Sequence, residues 1–235
     1  MNEEEARFLD LKRQSAVAAS ALVGPGMVVG LGTGSTAALV VEELGRRMRE
    51  EGLRFVGIPT SEATETLARQ QRIELAGFAT HQHIDLTIDG ADEVERGSLF
   101  LIKGLGGALL REKIVAAASE RMVIVADDRK VVDHLGDHTP VPVEVVPFGW
   151  ENTARRLEKL GAEVEARRTR DGQLFVTDGG NLILDCRFGQ IADPAGLEHH
   201  IGDIVGVIES GLFIGYAAEA IIAGKDGVFR LHRER

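Results

Sequence analysis

The chain has 235 residues, 44% hydrophobic and 27% charged, which is enough for one or two globular domains with a core of their own. Its 37 acidic against 27 basic residues leave a net charge of −10, which excludes a broad basic face for nucleic acid or an anionic membrane but permits one locally positive pocket. A single cysteine, Cys186, excludes an intrachain disulfide and fits a reducing, cytoplasmic setting, while the acidic start is no signal peptide and no apolar run approaches the ~20 residues of a membrane span.

The elements follow in chain order. Residues 3–23 read as a helix, with Ala6, Leu9, Ala16, Ala19 and Leu22 at helical spacing and Gly24-Pro25-Gly26 as the stop. Met27–Leu31 is a short apolar strand, Gly32–Thr36 a Gly-rich turn, and Ala37–Arg49 a helix. Gly52–Ile58 is a second strand, followed by a helix to about Gln71. His83–Asp89 is a third strand, Leu99–Lys103 a short one, Ala108–Ser119 a helix, and Arg121–Ala126 another strand. Strands alternating with helices imply a parallel sheet with crossover helices. From Pro140 the pattern changes. A proline-bearing strand (141–147), a helix (151–160) and a strand (163–168) precede a predicted hairpin of Gln173–Thr177 with Asn181–Cys186 around Asp178-Gly179-Gly180. A helix near Pro194–Ile201 and a strand near Ile204–Glu209 complete a small α+β unit, and Tyr216–Ala223 reads as a return to the first sheet.

Four motifs lie at strand ends, where ligands bind in such sheets. Gly30–Thr36 offers glycines for close approach, hydroxyls, and a helix N-terminus that favours an anion; it is a phosphate cradle or a plain capped turn. Thr60–Thr64, with Thr60 and Ser61, is an N-cap or a wall of the same pocket. Asp89-Gly90-Ala91-Asp92-Glu93 carries paired carboxylates suited to sugar hydroxyls or a metal, or to an exposed acidic turn; His81 and His83, at the far end of that strand, read as surface residues. Lys103-Gly104-Leu105-Gly106-Gly107 leaves free amides beside a lysine, and Glu112 follows on an apolar helix. A carboxylate among apolar neighbours has a raised pKa, which suits proton abstraction; an ordinary surface ion pair is the plainer reading. Lys12, Arg129 and Lys130 are cations available to a phosphate.

In this order and spacing the motifs resemble the ribose-5-phosphate isomerase A family, over roughly residues 6–224. Ala126–Lys130, Pro142–Pro147 and Thr177–Asn181 add to the resemblance. It implies a cytoplasmic, cofactor-free and metal-independent aldose–ketose isomerase that interconverts D-ribose 5-phosphate and D-ribulose 5-phosphate. It further implies Glu112 as general base with Asp89, Asp92 and Lys103 in the active site. Gly32, Thr33, Gly34, Ser35, Thr36, Thr60, Ser61, Gly104, Gly106 and Gly107 would contact substrate, with Lys12 and Lys130 at the phosphate end. The reaction chemistry makes Asp89 the candidate for ring opening. The implied partner is a small phosphosugar, with neither nucleic acid nor membrane, in a homodimer or homotetramer.

The expected fold is a three-layer, Rossmann-like α/β sheet domain (1–130 plus 208–235) with an inserted ferredoxin-like α+β domain (131–207). The rival readings are an aminosugar-phosphate deaminase or coenzyme A transferase of the same superfold, and a phosphosugar-sensing domain. The last lacks a basic DNA-binding segment before residue 27.

Overall fold

The computed structural model describes residues 3–234. Helix α1 (Glu3–Ser20) buries Leu11, Ser15, Ala16, Ala19 and Ser20, a stripe of small residues that lets it lie close to the sheet; Leu9, expected inside, is 37% exposed. The chain then runs through β1 (Val28–Leu31), α2 (Ser35–Glu50), β2 (Val56–Pro59), α3 (Glu62–Gln70), β3 (Glu74–Leu75) and β4 (Leu86–Gly90). Next come β5 (Glu93–Glu95), β6 (Leu101–Ile102), α4 (Leu109–Ala117), β7 (Met122–Asp127), a 3-10 turn (Asp128–Lys130) and β8 (Val131–Val132). The remaining elements are β9 (Val141–Val145), α5 (Trp150–Glu158), β10 (Glu163–Ala166), β11 (Leu182–Arg187), α6 (Pro194–Gly202), β12 (Val207–Ser210), β13 (Leu212–Phe213), β14 (Ala217–Gly224) and β15 (Gly227–His232).

The main sheet has the order β15-β14-β7-β4-β1-β2-β3 and is parallel except for the edge strand β15. Alternate residues of β7 serve two cores: Val123 and Val125 pack with α1 and α2 residues, whereas Met122, Ile124 and Ala126 pack with Ala116 of α4. Helices therefore cover both faces, which makes the three layers. The second sheet, β10-β11-β9-β12, is antiparallel throughout, with α5 and α6 as its two crossovers. That strand order and connectivity are ferredoxin-like. Val141, Val143 and Val145 of β9 sit in its core with Leu157, Leu184, Cys186 and Ile201.

Three features depart from expectation. Residues 173–177 form no strand beside β11, because β9 and β10 occupy both of its edges; only the single bridges Arg168–Leu174 and Val176–Leu182 form. The turn itself is present, with the Thr177 N–H donating to the Asn181 carbonyl over 2.9 Å. A third small sheet, β13-β6-β5-β8, and the edge strand β15 were not read from the sequence. Two- and three-residue strands carry too little periodicity to register, and β15 is largely exposed on an edge.

Candidate functional site

The C-terminal ends of β1, β4 and β7, together with β6, surround a cavity of about 120 Å³. Among its lining residues are Lys12, Thr33, Gly34, Ser35, Thr36, Asp92, Lys103, Gly104, Gly106, Glu112 and Lys130, gathered from segments far apart in sequence. Gly32, Thr60, Ser61, Asp89 and Gly107 stand behind this wall rather than on it. Gly90, Ala91, Ala126 and Asp127 also line it; the sequence reading included them in its motifs but gave them no contact with substrate. Asp127 had the same signal as Asp89, a carboxylate ending a buried parallel strand.

The residues behind the wall set its shape. Thr60 is wholly buried and donates from Oγ1 to the Leu31 carbonyl over 3.0 Å. The Thr33 hydroxyl lies 2.7 Å from Thr60 Oγ1 and donates to Ser61 Oγ over 2.9 Å. Ser61 accepts from the Thr64 N–H and so caps α3. The N-cap reading therefore holds for Ser61, which also supports the lining residue Thr33 from behind. Gly32 permits the close passage of Asp89: a β-carbon at residue 32 would lie 2.1 Å from Asp89 Oδ1.

The phosphate-cradle geometry lies at α2. Its N-cap, Gly34, has φ +106°, and no side chain caps the helix, so first-turn N–H groups remain open to an anion. Lys12 reaches across from α1 and donates to Ser35 Oγ over 2.9 Å, and Lys130 also lines the cavity. Arg129 is engaged elsewhere, paired with Asp127 at 2.8 Å and stacked on the Phe8 ring at 3.2 Å. His83 is exposed at the opposite end of β4, as its position predicts.

A buried charge cluster also borders the cavity. Lys103 Nζ sits 3.0 Å from Asp89 Oδ2 and 3.4 Å from Glu112 Oε2, and donates to the Gly90 carbonyl over 2.6 Å. Asp89 is fully buried; its Oδ1 accepts from the N–H groups of Thr33 and Gly90. Asp92 accepts the Leu105 N–H over 2.9 Å and thereby braces the glycine loop. Burial pushes the Glu112 carboxyl up to about 8; the charge of Asp89 adds to the rise and Lys103 opposes it. Burial likewise raises Asp89, against the pull of Lys103. Burial works against the Lys103 cation, but Asp89 and Glu112 outweigh it and hold the ammonium above its ordinary value. Two carboxylates sharing one buried cation cannot both ionise cheaply, and this mutual repulsion adds to burial in raising Glu112.

An open anion cradle beside a carboxylate of raised pKa and a fixed ammonium defines an α/β enzyme that moves protons on a small anionic substrate. The family model described as ribose 5-phosphate isomerase A (phosphoriboisomerase A) matches residues 56–227, and the chain belongs to that family. It is 61% identical over 218 residues to a ribose-5-phosphate isomerase A of Gloeobacter violaceus, covering 93% of this chain and 94% of the relative. Among solved structures, ribose 5-phosphate isomerase A of Methanocaldococcus jannaschii superposes with TM-score 0.91 at 43% identity, over 95% of this chain and 99% of that one. A D-ribose-5-phosphate isomerase in complex with phospho-erythronic acid gives TM-score 0.92 at 37% identity, over 99% and 100%.

Proposed function

We propose that Glu112 is the general base of this aldose–ketose isomerase, which interconverts D-ribose 5-phosphate and D-ribulose 5-phosphate. The observation that carries the assignment is a carboxyl group lining the cavity, only 4% exposed, with its pKa near 8 and Lys103 at 3.4 Å. A base matched to neutral pH is what abstraction of a proton beside a carbonyl needs. The phosphate is held by the open α2 N-terminus, Ser35, Lys12 and Lys130, which places the reacting end toward Lys103 and Glu112.

The furanose ring must open first, with one proton delivered to the ring oxygen and one removed from the 1-hydroxyl. Asp89, expected in this role, is sealed from the cavity, so its route to a ligand runs through Lys103. Asp92 is the carboxylate of this turn that itself lines the cavity. We assign ring opening to the Asp89–Lys103 pair and Asp92 together. Glu112 then removes the proton on C2, and the resulting cis-enediolate is held by Lys103 and free amides of the Gly104–Gly107 loop. The proton returns from Glu112 to C1, while the proton of the 2-hydroxyl passes to O1. One carboxylate serves both carbons because they are adjacent.

The direct test is ketose formation from ribose 5-phosphate by the purified protein in EDTA. Rapid turnover is the expected result; binding without turnover would move the reading to a phosphosugar sensor. kcat/KM should rise with pH to a plateau, along a limb with apparent pKa near 8, because only ionised Glu112 accepts a proton. Asp89→Asn removes a charge that raises Glu112, so that limb should move to lower pH. Ser35→Ala should raise KM by about tenfold with kcat little changed, since the phosphate does not react. A proportional fall in kcat would place Ser35 at the reacting end instead.

Among the described residues no helix is long and apolar enough to cross a membrane; the cytoplasmic setting implied by the resemblance stands as part of this proposal. The homodimer or homotetramer implied by the resemblance stands as part of this proposal, to be settled by light scattering.

A further inference from the structure

We infer that Arg167, on the antiparallel unit, is a positioning residue that turns the Leu105–Gly106 peptide so that its N–H faces the reacting oxygens. The inference rests on the assignment of Lys103, Glu112 and the Gly104–Gly107 loop made above.

Arg167 directly follows β10 and is only 12% exposed at its side chain. Two of its guanidinium nitrogens are committed to Asp185, Nε to Oδ2 at 2.9 Å and Nη2 to Oδ1. The third, Nη1, donates to the Gly104 carbonyl at 2.8 Å and to the Leu105 carbonyl at 3.0 Å. Both acceptors belong to the catalytic loop. The same unit supports that loop a second time: Phe175, 5.9 Å from the guanidinium, fills the space beside Gly107, where a β-carbon would lie 2.5 Å from the ring.

In a trans peptide the C=O and the following N–H point in opposite directions. With the Gly104 carbonyl aimed at Arg167, the Leu105 N–H must face away, and it does, donating to Asp92. With the Leu105 carbonyl aimed the same way, the Gly106 N–H is likewise turned from Arg167. Gly106 lines the cavity, and among the described residues its N–H has no acceptor. A donor left unpaired at the cavity edge is available to an oxyanion. Lys103 already faces Asp89, Glu112 and the Gly90 carbonyl, so a two-oxygen enediolate gains from a second, neutral donor. Arginine suits this position because its planar fork holds a carboxylate with one edge and two carbonyls with the remaining nitrogen; a lysine offers a single point.

The test compares Arg167→Met and Arg167→Lys with wild type in steady-state kinetics on ribose 5-phosphate, with inorganic phosphate and phospho-erythronate as competing probes. The carboxylate of phospho-erythronate stands in for the enediolate oxygens. Both variants should lose about 10- to 100-fold in kcat, with KM and the inhibition constant of inorganic phosphate within about twofold of wild type. Affinity for phospho-erythronate should fall in step with kcat/KM, and the pH limb near 8 should stay in place. Arg167→Lys retains the cation beside Asp185 and serves as the second variant should Arg167→Met not fold. Wild-type kcat in either variant overturns the role, and so does a loss of phosphate affinity matching the loss of kcat. An active Glu112→Gln enzyme would instead overturn the underlying mechanism, whatever the Arg167 variants do.

Discussion

Glu112→Gln is expected to lower kcat by at least ~10²-fold and to change KM little. The amide keeps the shape of the side chain and loses only the ability to accept the C2 proton. On the proposed reading the phosphate is held by Ser35, Lys12 and Lys130, none of which the substitution changes, so substrate affinity should survive. The same substitution should stabilise the protein in a pH-dependent way. Glu112 is raised from 4.5 to about 8 in the folded state, so the native protein binds the proton more tightly than the unfolded chain. A folded-state pKa above the unfolded one contributes stability at low pH that is lost as pH rises from about 4.5 to about 8. Wild type therefore carries this cost in full above pH 8, whereas the glutamine variant never does. At ~1.4 kcal/mol per pKa unit, the gain is on the order of a few kcal/mol. Melting at pH 9 should show Tm higher by roughly 5 °C or more, with the difference shrinking toward pH 5. Near-normal kcat would remove Glu112 from the role of base, and a Tm gain independent of pH would contradict the charge argument.

Lys103→Met has the second large effect, on stability as well as rate. Lys103 is 2% exposed, and its ammonium is the cation shared by Asp89 and Glu112. Removing it leaves two buried carboxylates without a counter-charge, a change that typically costs about 3–5 kcal/mol. kcat should fall by at least ~10²-fold, because the enediolate loses its charged partner. The stability deficit has a sign. Without the cation both carboxyl groups titrate still higher in the folded state, so the variant is closest to wild type in acid and loses ground as pH rises. The double variant Lys103→Met/Asp89→Asn should recover part of the stability and none of the rate. Denaturant melts at pH 5 and pH 8 with parallel kinetics decide this; equal deficits at both pH values would show that lost packing, rather than charge, is responsible.

Much of the site was legible in the sequence because its chemistry sits in contiguous strand-end motifs. Glycines, hydroxyls and carboxylates at such turns are placed by the parallel-sheet rule alone, and most of those singled out do line the cavity. Which of them face the ligand was not legible. Asp89 and Asp92 are three residues apart in one motif, yet one is sealed behind Gly32 and the other lines the pocket. Thr60 and Ser61, read as substrate contacts, instead anchor the Thr33 hydroxyl from behind. The role of the antiparallel unit was hidden for a similar reason. Arg167 lies 62 residues from Leu105, and no local pattern reports a guanidinium held by Asp185 and aimed at two carbonyls.

The sequence by itself determined the layered α/β architecture, the family and the identity of the polar groups at the strand ends. Periodicity and turn chemistry are short-range properties that one chain displays directly. Tertiary structure decided what those groups can do. The rise of Glu112 toward neutral pH comes from burial and from Asp89, 23 residues away in the chain, and the open donor at Gly106 comes from a peptide orientation imposed by Arg167. Desolvation and Coulomb interaction depend on separation in space, which is set only when β1, β4, β6 and α4 pack around one cavity.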